Sequence, residues 1–427
     1  TTTTTTTSSS GTNRGGGGGG DSTHRRSRSS NSAALKQAKK AALKDLPPWG
    51  SRSVDEFQKI KQIGEGTYGR VYMAKNKTTE EVVALKKIRM ANEKEGFPIT
   101  AIREIKILKQ LNHDNVVKLK EIVVSKKSKE DYTKGKGGIY MVFEYMQYDL
   151  TGLIEQAKRL SKPFTEQQIK CYMKQLLEGL YYCHSNNVLH RDIKGSNLLI
   201  NSDGELKLAD FGLARPYNKS SGSYTNLVIT LWYRPPELLL GATQYGPEVD
   251  MWSVGCILGE LLARKAIFPG RTDPDQLEII FKACGSPTST NWPDLINNPD
   301  KYPFSHLLPT RRYPRRLREL FSYFSPNARN LLDALLTLDP SKRLTAEQAL
   351  DHDWFWTNPM PVEKSDLPKF PPMHEFQVKK RHRQQREKQK QLASSSSSSN
   401  IANSTNPHHH HHPNSSQHSS SSSSSSS

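Results

Sequence analysis

The sequence predicts an α+β fold in two unequal parts, a small antiparallel sheet with one main helix followed by a larger and mostly helical region. Across 57–83 short alternating apolar runs are broken by a glycine-rich stretch, the pattern of strand, turn and strand. Beyond Leu150 the apolar period lengthens to that of helices, as in 168–185 and 250–263. The two regimes meet near 144–149.

Within the first part, Val82-Val83-Ala84-Leu85-Lys86 reads as a third strand and 139–143 as a further, buried one. Pro98 suits the opening of a helix, because its fixed φ and missing N–H fit the first turn; from Ile99 to Leu111 apolar residues fall at 102, 105 and 108 in helical register. The expected domain is 57–355, with its sheet lobe at 57–143 and its helical lobe at 150–355, followed by a basic extension over 356–392. Residues 1–50 and 393–427 hold homopolymeric Thr, Ser and Gly runs that bury too little surface to offset chain entropy, so both are expected to be disordered. The five histidines from His408 to His412 read as repeat expansion rather than a metal site.

The formal charge is +19. Residues 1–50 carry eight Lys/Arg against two Asp/Glu and 379–390 seven against one, which leaves a moderately basic +7 for the rest. A domain of that charge attracts phosphorylated or acidic ligands without being a nucleic-acid clamp. Cys171, Cys183, Cys256 and Cys284 form no C-x-x-C pair, which argues against zinc and against a disulfide framework. No stretch approaches the roughly 18 apolar residues of a membrane span, so a soluble, intracellular protein with no membrane partner is expected.

Gly64-Glu65-Gly66-Thr67-Tyr68-Gly69-Arg70-Val71 matches G-x-G-x-x-G-x-V, in which missing side chains let backbone N–H groups approach phosphate oxygens. Alone it also fits a glycine hairpin or a dinucleotide-binding turn, but the latter opens a helix and this one returns into a strand. Lys86 ends that strand, and Glu104 on the next helix is placed to pair with it and hold it at the phosphates. His190-Arg191-Asp192-Ile193-Lys194-Gly195-Ser196-Asn197 is the H-R-D-x-K-x-x-N pattern. In it Asp192 orients a substrate hydroxyl and accepts its proton, Lys194 neutralises γ-phosphate charge, and Asn197 offers an amide oxygen to Mg²⁺. Asp210-Phe211-Gly212 adds the second hard-oxygen anchor for the metal. Pro235-Pro236-Glu237 resembles the A-P-E that closes the activation segment of protein kinases, and that resemblance implies a buried, structural ion pair between Glu237 and Arg343.

In this order the motifs resemble those of the eukaryotic protein kinases, which implies a bilobal fold using ATP and Mg²⁺. From Phe57 to Phe355 the chain is similar to cyclin-dependent kinases in particular. The likeness is carried by Pro98-Ile99-Thr100-Ala101-Ile102-Arg103-Glu104, by the G-E-G-T-Y-G spelling of 64–69, by Thr230-Leu231-Trp232-Tyr233-Arg234, by Gly255-Cys256-Ile257 and by Trp354-Phe355. The PITAIRE spelling, Lys194-Gly195-Ser196-Asn197 and the arginine-rich extension past Phe376 resemble the transcriptional branch, of the plant C-type and elongation kinds. That resemblance implies a Ser/Thr kinase with a T- or K-type cyclin and an upstream activating kinase as partners. It also implies the RNA polymerase II C-terminal domain as substrate and the nucleus as location.

The resemblance also assigns roles. Nucleotide contacts fall to Ile63, Gly64, Glu65, Gly66, Thr67, Tyr68, Gly69, Val71, Ala84, Lys86, Phe143, Glu144, Met146, Asp149, Leu199 and Asp210, with the backbones of Glu144 and Met146 meeting the adenine edge. Thr225 is the activation phosphosite, cradled by Arg103, Arg191 and Arg215, and Val228, Ile229 and Arg234 form the pocket for a proline after the target residue. Leu227 stands where relatives often carry Arg or another polar residue, which leaves fine substrate preference open. Thr67 and Tyr68 match inhibitory phosphosites of cell-cycle relatives or simply pack.

Three rival readings stand beside this one. A pseudokinase scaffold is opposed by intact Lys86, Asp192, Asn197 and Asp210; a mitogen-activated kinase needs Thr-x-Tyr where this chain has Tyr224-Thr225; a cell-cycle cyclin-dependent kinase would share every catalytic residue. The basic run from Lys379 to Lys390 reads as a nuclear-import signal, an RNA contact or a solvated charge run, so direct nucleic-acid binding stays open. His374-Glu375 resembles a pair in the C-terminal extension that folds back toward the nucleotide site, the alternative being a flexible tether.

Overall fold

The computed structural model describes residues 51–66, 69–89, 98–125, 138–218 and 223–402; the expectations for 1–50, for Thr67 and Tyr68, and for 403–427 lie outside the described residues. Strands β1 (Phe57–Gly66), β2 (Gly69–Asn76), β3 (Val82–Ile88), β4 (Leu119–Val124) and β5 (Ile139–Glu144) form one antiparallel sheet in the order β1-β2-β3-β5-β4. Strands β3 and β5 carry the densest apolar runs, and their buried residues divide between two cores. Val83, Leu85, Tyr140 and Val142 close a small outer core over Val54 and Phe57, while Ile63, Ala84, Ile88, Met141 and Phe143 join the main core. Lys86 pairs with Val71 on one side and Met141 on the other, which fixes its ammonium on the inner face. The turn between β1 and β2 needs Gly69: its φ is +148°, and a Cβ there would lie 1.8 Å from the Lys87 carbonyl oxygen.

Helix α1 (Ile99–Gln110) follows Pro98 as expected, and its buried face keeps positions 105 and 108 of the expected register but not 102. Ala101, Glu104, Ile107 and Leu108 are buried, whereas Ile99 and Ile102 are 65% and 39% exposed. The cause is Glu104. A carboxylate turned inward is tolerated because a lysine meets it there, and Ile99 and Ile102 are left facing outward while Ile105, Ile107 and Leu108 pack on the core side.

The larger lobe contains α2 (Leu150–Arg159), α3 (Glu166–Ser185), α4 (Glu248–Ala263), α5 (Asp273–Cys284) and α6 (Pro326–Leu335), with short strands β6 (Tyr148–Asp149), β7 (Val188–Leu189), β8 (Leu198–Ile200), β9 (Leu206–Leu208) and β10 (Arg215–Pro216). Asp149 caps α2, and a Thr165/Gln168 capping box starts α3. Helix α4 is buried nearly all round, so it is the axis on which the lobe packs. All four cysteines are buried and free. No helix among the described residues is long and apolar enough to cross a membrane.

Glu237 and Arg343 meet as expected, in a buried bidentate pair at 2.8 and 3.1 Å, and the guanidinium also donates to the carbonyls of Thr337 and Glu248. Removing one partner leaves a buried, uncompensated charge. Arg343→Met should therefore lower stability by about 3–5 kcal/mol, read by urea denaturation; a loss under about 1 kcal/mol would mean that solvent reaches the pair.

The segment after Phe355 is part of the main core rather than an appendage. Lys170 donates to the carbonyls of Thr357 and Pro359 at 2.8 and 2.7 Å, and Leu367 and Phe370 join the main core. Tyr148 bridges to Met373, and Gln156 donates to the Pro371 carbonyl at 2.9 Å. Gly152 makes this approach possible, since a Cβ there would lie 2.3 Å from the Met373 carbonyl oxygen. A final helix α7 (Glu375–Ala402) carries the basic run and continues past 393, into a stretch expected to be disordered. Adding a turn to an existing helix needs no new nucleus, which lets the serine run follow the Lys/Arg/Gln-rich segment.

Candidate active site

The motifs converge on one cleft of about 590 Å³ between the sheet and the helical lobe. From β3, Lys86 donates to both oxygens of Glu104 at 2.7 and 3.0 Å and to Asp210 Oδ1 at 2.8 Å. Burial opposes its charge, but Asp210 and Glu104 together raise the pKa, so it is an ammonium throughout the neutral range. Burial likewise works against ionised Asp210, and Lys86 with Lys194 outweighs it, holding the carboxyl below its usual range. Glu104 moves the other way, because burial and the like charge of Asp210 exceed the help from Lys86. Asp210 sits at φ +64°, ψ +66°, a left-handed conformation that non-glycine residues adopt at a strain cost and that recurs at functional sites.

The second group is centred on Asp192. Lys194 Nζ lies 2.7 Å from Asp192 Oδ2, and Asn197 Nδ2 donates to the same oxygen at 3.0 Å and to the Asp192 carbonyl at 2.8 Å. With its nitrogen committed, Asn197 presents its amide oxygen as the remaining polar atom. Thr230 was missed in the sequence. Its hydroxyl donates to Asp192 Oδ1 at 3.0 Å and accepts from Lys194 at 3.2 Å, tying the activation segment to the catalytic loop. A hydroxyl 38 residues away leaves no local spacing signal.

Asp250 was missed too. It is fully buried on α4 and accepts from the backbone N–H groups of His190 and Arg191 at 2.9 and 2.8 Å and lies 3.0 Å from His184 Nε2, so it shapes the catalytic loop from below. His190 Nδ1 accepts from the Asp192 N–H at 3.2 Å, which leaves Nε2 to donate to the Ala209 carbonyl. Burial lowers the His190 pKa, consistent with a neutral ring in that tautomer.

Around these groups the cleft is lined by Ile63, Gly64, Glu65, Gly69, Val71 and Ala84 from the sheet, by Phe143, Glu144, Met146 and Asp149 from the connection, and by Leu199. The Glu144 carboxylate is used elsewhere, accepting from the Lys118 N–H at 2.8 Å and pairing with Lys207 at 3.1 Å, so only its backbone is left for a ligand. Glu65 turns to Arg70 and Arg89. Asp149 lines the cleft with its carboxylate already engaged: Oδ1 caps α2 through the Gly152 N–H and Oδ2 accepts from the Glu375 N–H, both at 2.7 Å. The extension thus folds back to the cleft, and His374, Glu375, Phe376 and Lys379 line it. His374 Nε2 is buried there with no hydrogen-bond partner among the described residues.

Val228 and Ile229 are buried, and Ile229 has φ +64°. Arg234 Nε and Nη2 hold the strained Ile229 carbonyl at 3.3 and 3.1 Å, and Nε also holds that of Val228 at 3.0 Å. Thr225 is exposed. Arg191 is buried and donates to the Leu213 carbonyl and to Tyr245, Arg215 donates to the Ala214 carbonyl, and no arginine bonds the Thr225 hydroxyl among the described residues. That hydroxyl accepts from the Leu227 N–H instead.

A lysine–carboxylate pair under a glycine-rich turn, facing an aspartate–lysine–asparagine cluster, defines a protein kinase. The protein kinase domain model matches residues 57–355. Cyclin-dependent kinase C-1 of Oryza sativa subsp. japonica is 58% identical over 349 residues, 80% of this chain and 66% of that protein. Cyclin-dependent kinase 12 of Drosophila melanogaster is 50% identical over 339 residues, 78% of this chain and 29% of that protein. Among solved structures, a chain in the crystal structure of the yeast RNA Pol II CTD kinase CTDK-1 complex is 44% identical with a TM-score of 0.66, covering 74% of this chain and 98% of that one. The chain belongs to the protein kinase family and, within it, to the cyclin-dependent kinases. It spans just under two thirds of the length of the rice relative and under a third of the fly one.

Proposed function

We propose that this chain is a cyclin-dependent Ser/Thr kinase of the transcriptional branch, acting on Ser/Thr-Pro sites in the C-terminal domain of RNA polymerase II in the nucleus. The observation that carries the chemistry is the Asp192–Lys194–Asn197–Thr230 cluster facing the Lys86–Asp210 pair across one cleft. The substrate is supported by the likeness to cyclin-dependent kinases C and 12 and to the CTD kinase complex.

The donor set fits magnesium. Among the described residues no three His, Cys, Asp or Glu side chains converge as a metal cage, whereas Asp210 and the Asn197 amide supply two hard oxygens and leave the rest to phosphate and water, as Mg²⁺ favours. When bound, ATP supplies the phosphoryl group and Mg²⁺ neutralises phosphate charge. Lys86 would hold the phosphates of a bound nucleotide, Asp192 would orient the substrate hydroxyl and take its proton, and Lys194 would offset charge developing on the transferred group. Ile99 and Ile102 on the outer face of α1 present an apolar row of the kind a cyclin would cover, and the cyclin is proposed to be T- or K-type. An upstream kinase is proposed to modify Thr225, with Arg103, Arg191 and Arg215 gathering on the phosphate.

Proline preference has a physical basis. Arg234 occupies the carbonyls of Val228 and Ile229, so a residue after the target would leave its N–H unpaired unless it were proline. With the T-type cyclin complex and Mg²⁺-ATP, a Ser-Pro peptide should exceed its Ser-Ala counterpart in kcat/KM by about 10–100-fold, the value of one unsatisfied buried donor. Equal rates would remove the pocket assignment, and no turnover of either peptide would remove the kinase reading.

A further inference from the structure

Resting on the kinase reading and going beyond it, we propose that the Tyr245 hydroxyl is a phosphate-independent latch, a positioning group that holds the Thr225 segment to the catalytic loop before any phosphate is present. Tyr245 is buried, and its hydroxyl donates to the Thr225 carbonyl at 2.6 Å while accepting from Arg191 Nη1 at 2.8 Å. Arg191 is itself held at both ends, at φ +64°, with Nε on the Leu213 carbonyl at 2.9 Å and its backbone N–H on Asp250 at 2.8 Å. A continuous chain therefore runs from the α4 carboxylate through Arg191 and Tyr245 to the main chain of Thr225. The rings reinforce it: Tyr224 lies 5.3 Å from Tyr245 and 5.6 Å from the Arg191 guanidinium, and its N–H and hydroxyl bond the carbonyls of Thr243 and Pro216 at 2.7 and 3.0 Å.

The side chain to be phosphorylated takes no part in this attachment, since the Thr225 hydroxyl bonds its own segment through the Leu227 N–H at 3.2 Å. The backbone carbonyl does the holding. Five residues on, the Thr230 hydroxyl bonds Asp192, so slack at Thr225 is passed to the group that orients the substrate. A phosphate at Thr225 would give Arg191 a second and stronger attachment to the same residue. The two attachments are then redundant, and the hydroxyl matters most while the phosphate is absent.

The test compares full-length wild type, Tyr245→Phe, Thr225→Ala and the double variant, each with a T-type cyclin, on a Ser-Pro peptide with Thr225 unmodified or phosphorylated. Losing a hydrogen bond between a hydroxyl and a charged group predicts that Tyr245→Phe lowers kcat/KM about tenfold in the unmodified complex, through the peptide KM rather than the ATP KM. In the phosphorylated complex the loss should stay within about twofold, and in the double variant it should match the unmodified one. An equal factor in both states would mark Tyr245 as ordinary packing and overturn the latch. Hydrogen exchange of the uncomplexed chain gives a readout independent of catalysis: the Leu227 amide should exchange about tenfold faster in Tyr245→Phe at unchanged melting temperature. Unchanged exchange there overturns the latch even if the kinase reading fails, whereas faster exchange with an inactive wild type sinks only that reading.

Discussion

Asp192→Asn should lower peptide phosphorylation by about 10²–10⁴-fold while the melting temperature and cyclin capture stay as in the wild type, since positioned proton acceptors contribute on that scale. The carboxylate is the hub of three groups: Lys194 and Asn197 share one oxygen and Thr230 donates to the other, while the Asp192 carbonyl takes a second bond from Asn197. An amide of the same shape keeps one acceptor, turns a donor toward Lys194 or Thr230, and cannot take a proton from an incoming alcohol. The fold survives because the loop is held from elsewhere, by Asp250 through the N–H groups of His190 and Arg191. Peptide turnover beside a thermal melt checks both halves, and a rate within tenfold of wild type would remove Asp192 from the proton-accepting role.

The parts of this site that were legible in the sequence are those whose partners lie within a motif or whose residue types are chemically demanding. Asp192, Lys194 and Asn197 fall within six residues, so their shared geometry follows from local backbone alone. Lys86, Glu104 and Asp210 are far apart, yet two carboxylates and a lysine facing one cleft are readable because buried charges need partners. Thr230, Asp250 and Tyr245 were not legible. A threonine, a helix aspartate and a tyrosine are ordinary at such positions, and only the packing of the activation segment against α4 and the catalytic loop gives them their bonds. The helix α1 register was legible only in part, for a related reason. Of the apolar positions 102, 105 and 108, Ile105 and Leu108 pack on the core side, but Ile102 turns outward because the inward face follows Glu104, whose burial depends on a lysine in another element. The extension is a third case, where the sequence shows basic character and the structure adds that Leu367, Phe370 and Met373 are buried and that Asp149 is spent on its backbone.

Asp210→Asn is expected to lower turnover by roughly 10²–10³-fold, the scale for removing one preorganised electrostatic group, and to raise the Mg²⁺ concentration needed for half-maximal activity. The substitution keeps the shape of the side chain and its left-handed backbone, but Lys86 is left with Glu104 alone and the metal loses an anionic oxygen. The pH dependence of stability separates this from a general loosening. Because the Asp210 carboxyl is held below its usual range, its pairing contributes stability that is full above the unfolded value near ~3.9 and is lost as pH falls through the lower folded value. Lys86 shifts upward, so its contribution is complete below its unfolded value near ~10.4 and fades only as pH rises beyond that. Asp210→Asn should therefore melt less steeply with acid than the wild type does below about pH 4, with the alkaline limb still governed by Lys86 and Glu104. Parallel acid limbs in the two proteins would show that the carboxylate is not paired in the folded state, and with it the electrostatic frame on which Lys86 is positioned would have to be abandoned.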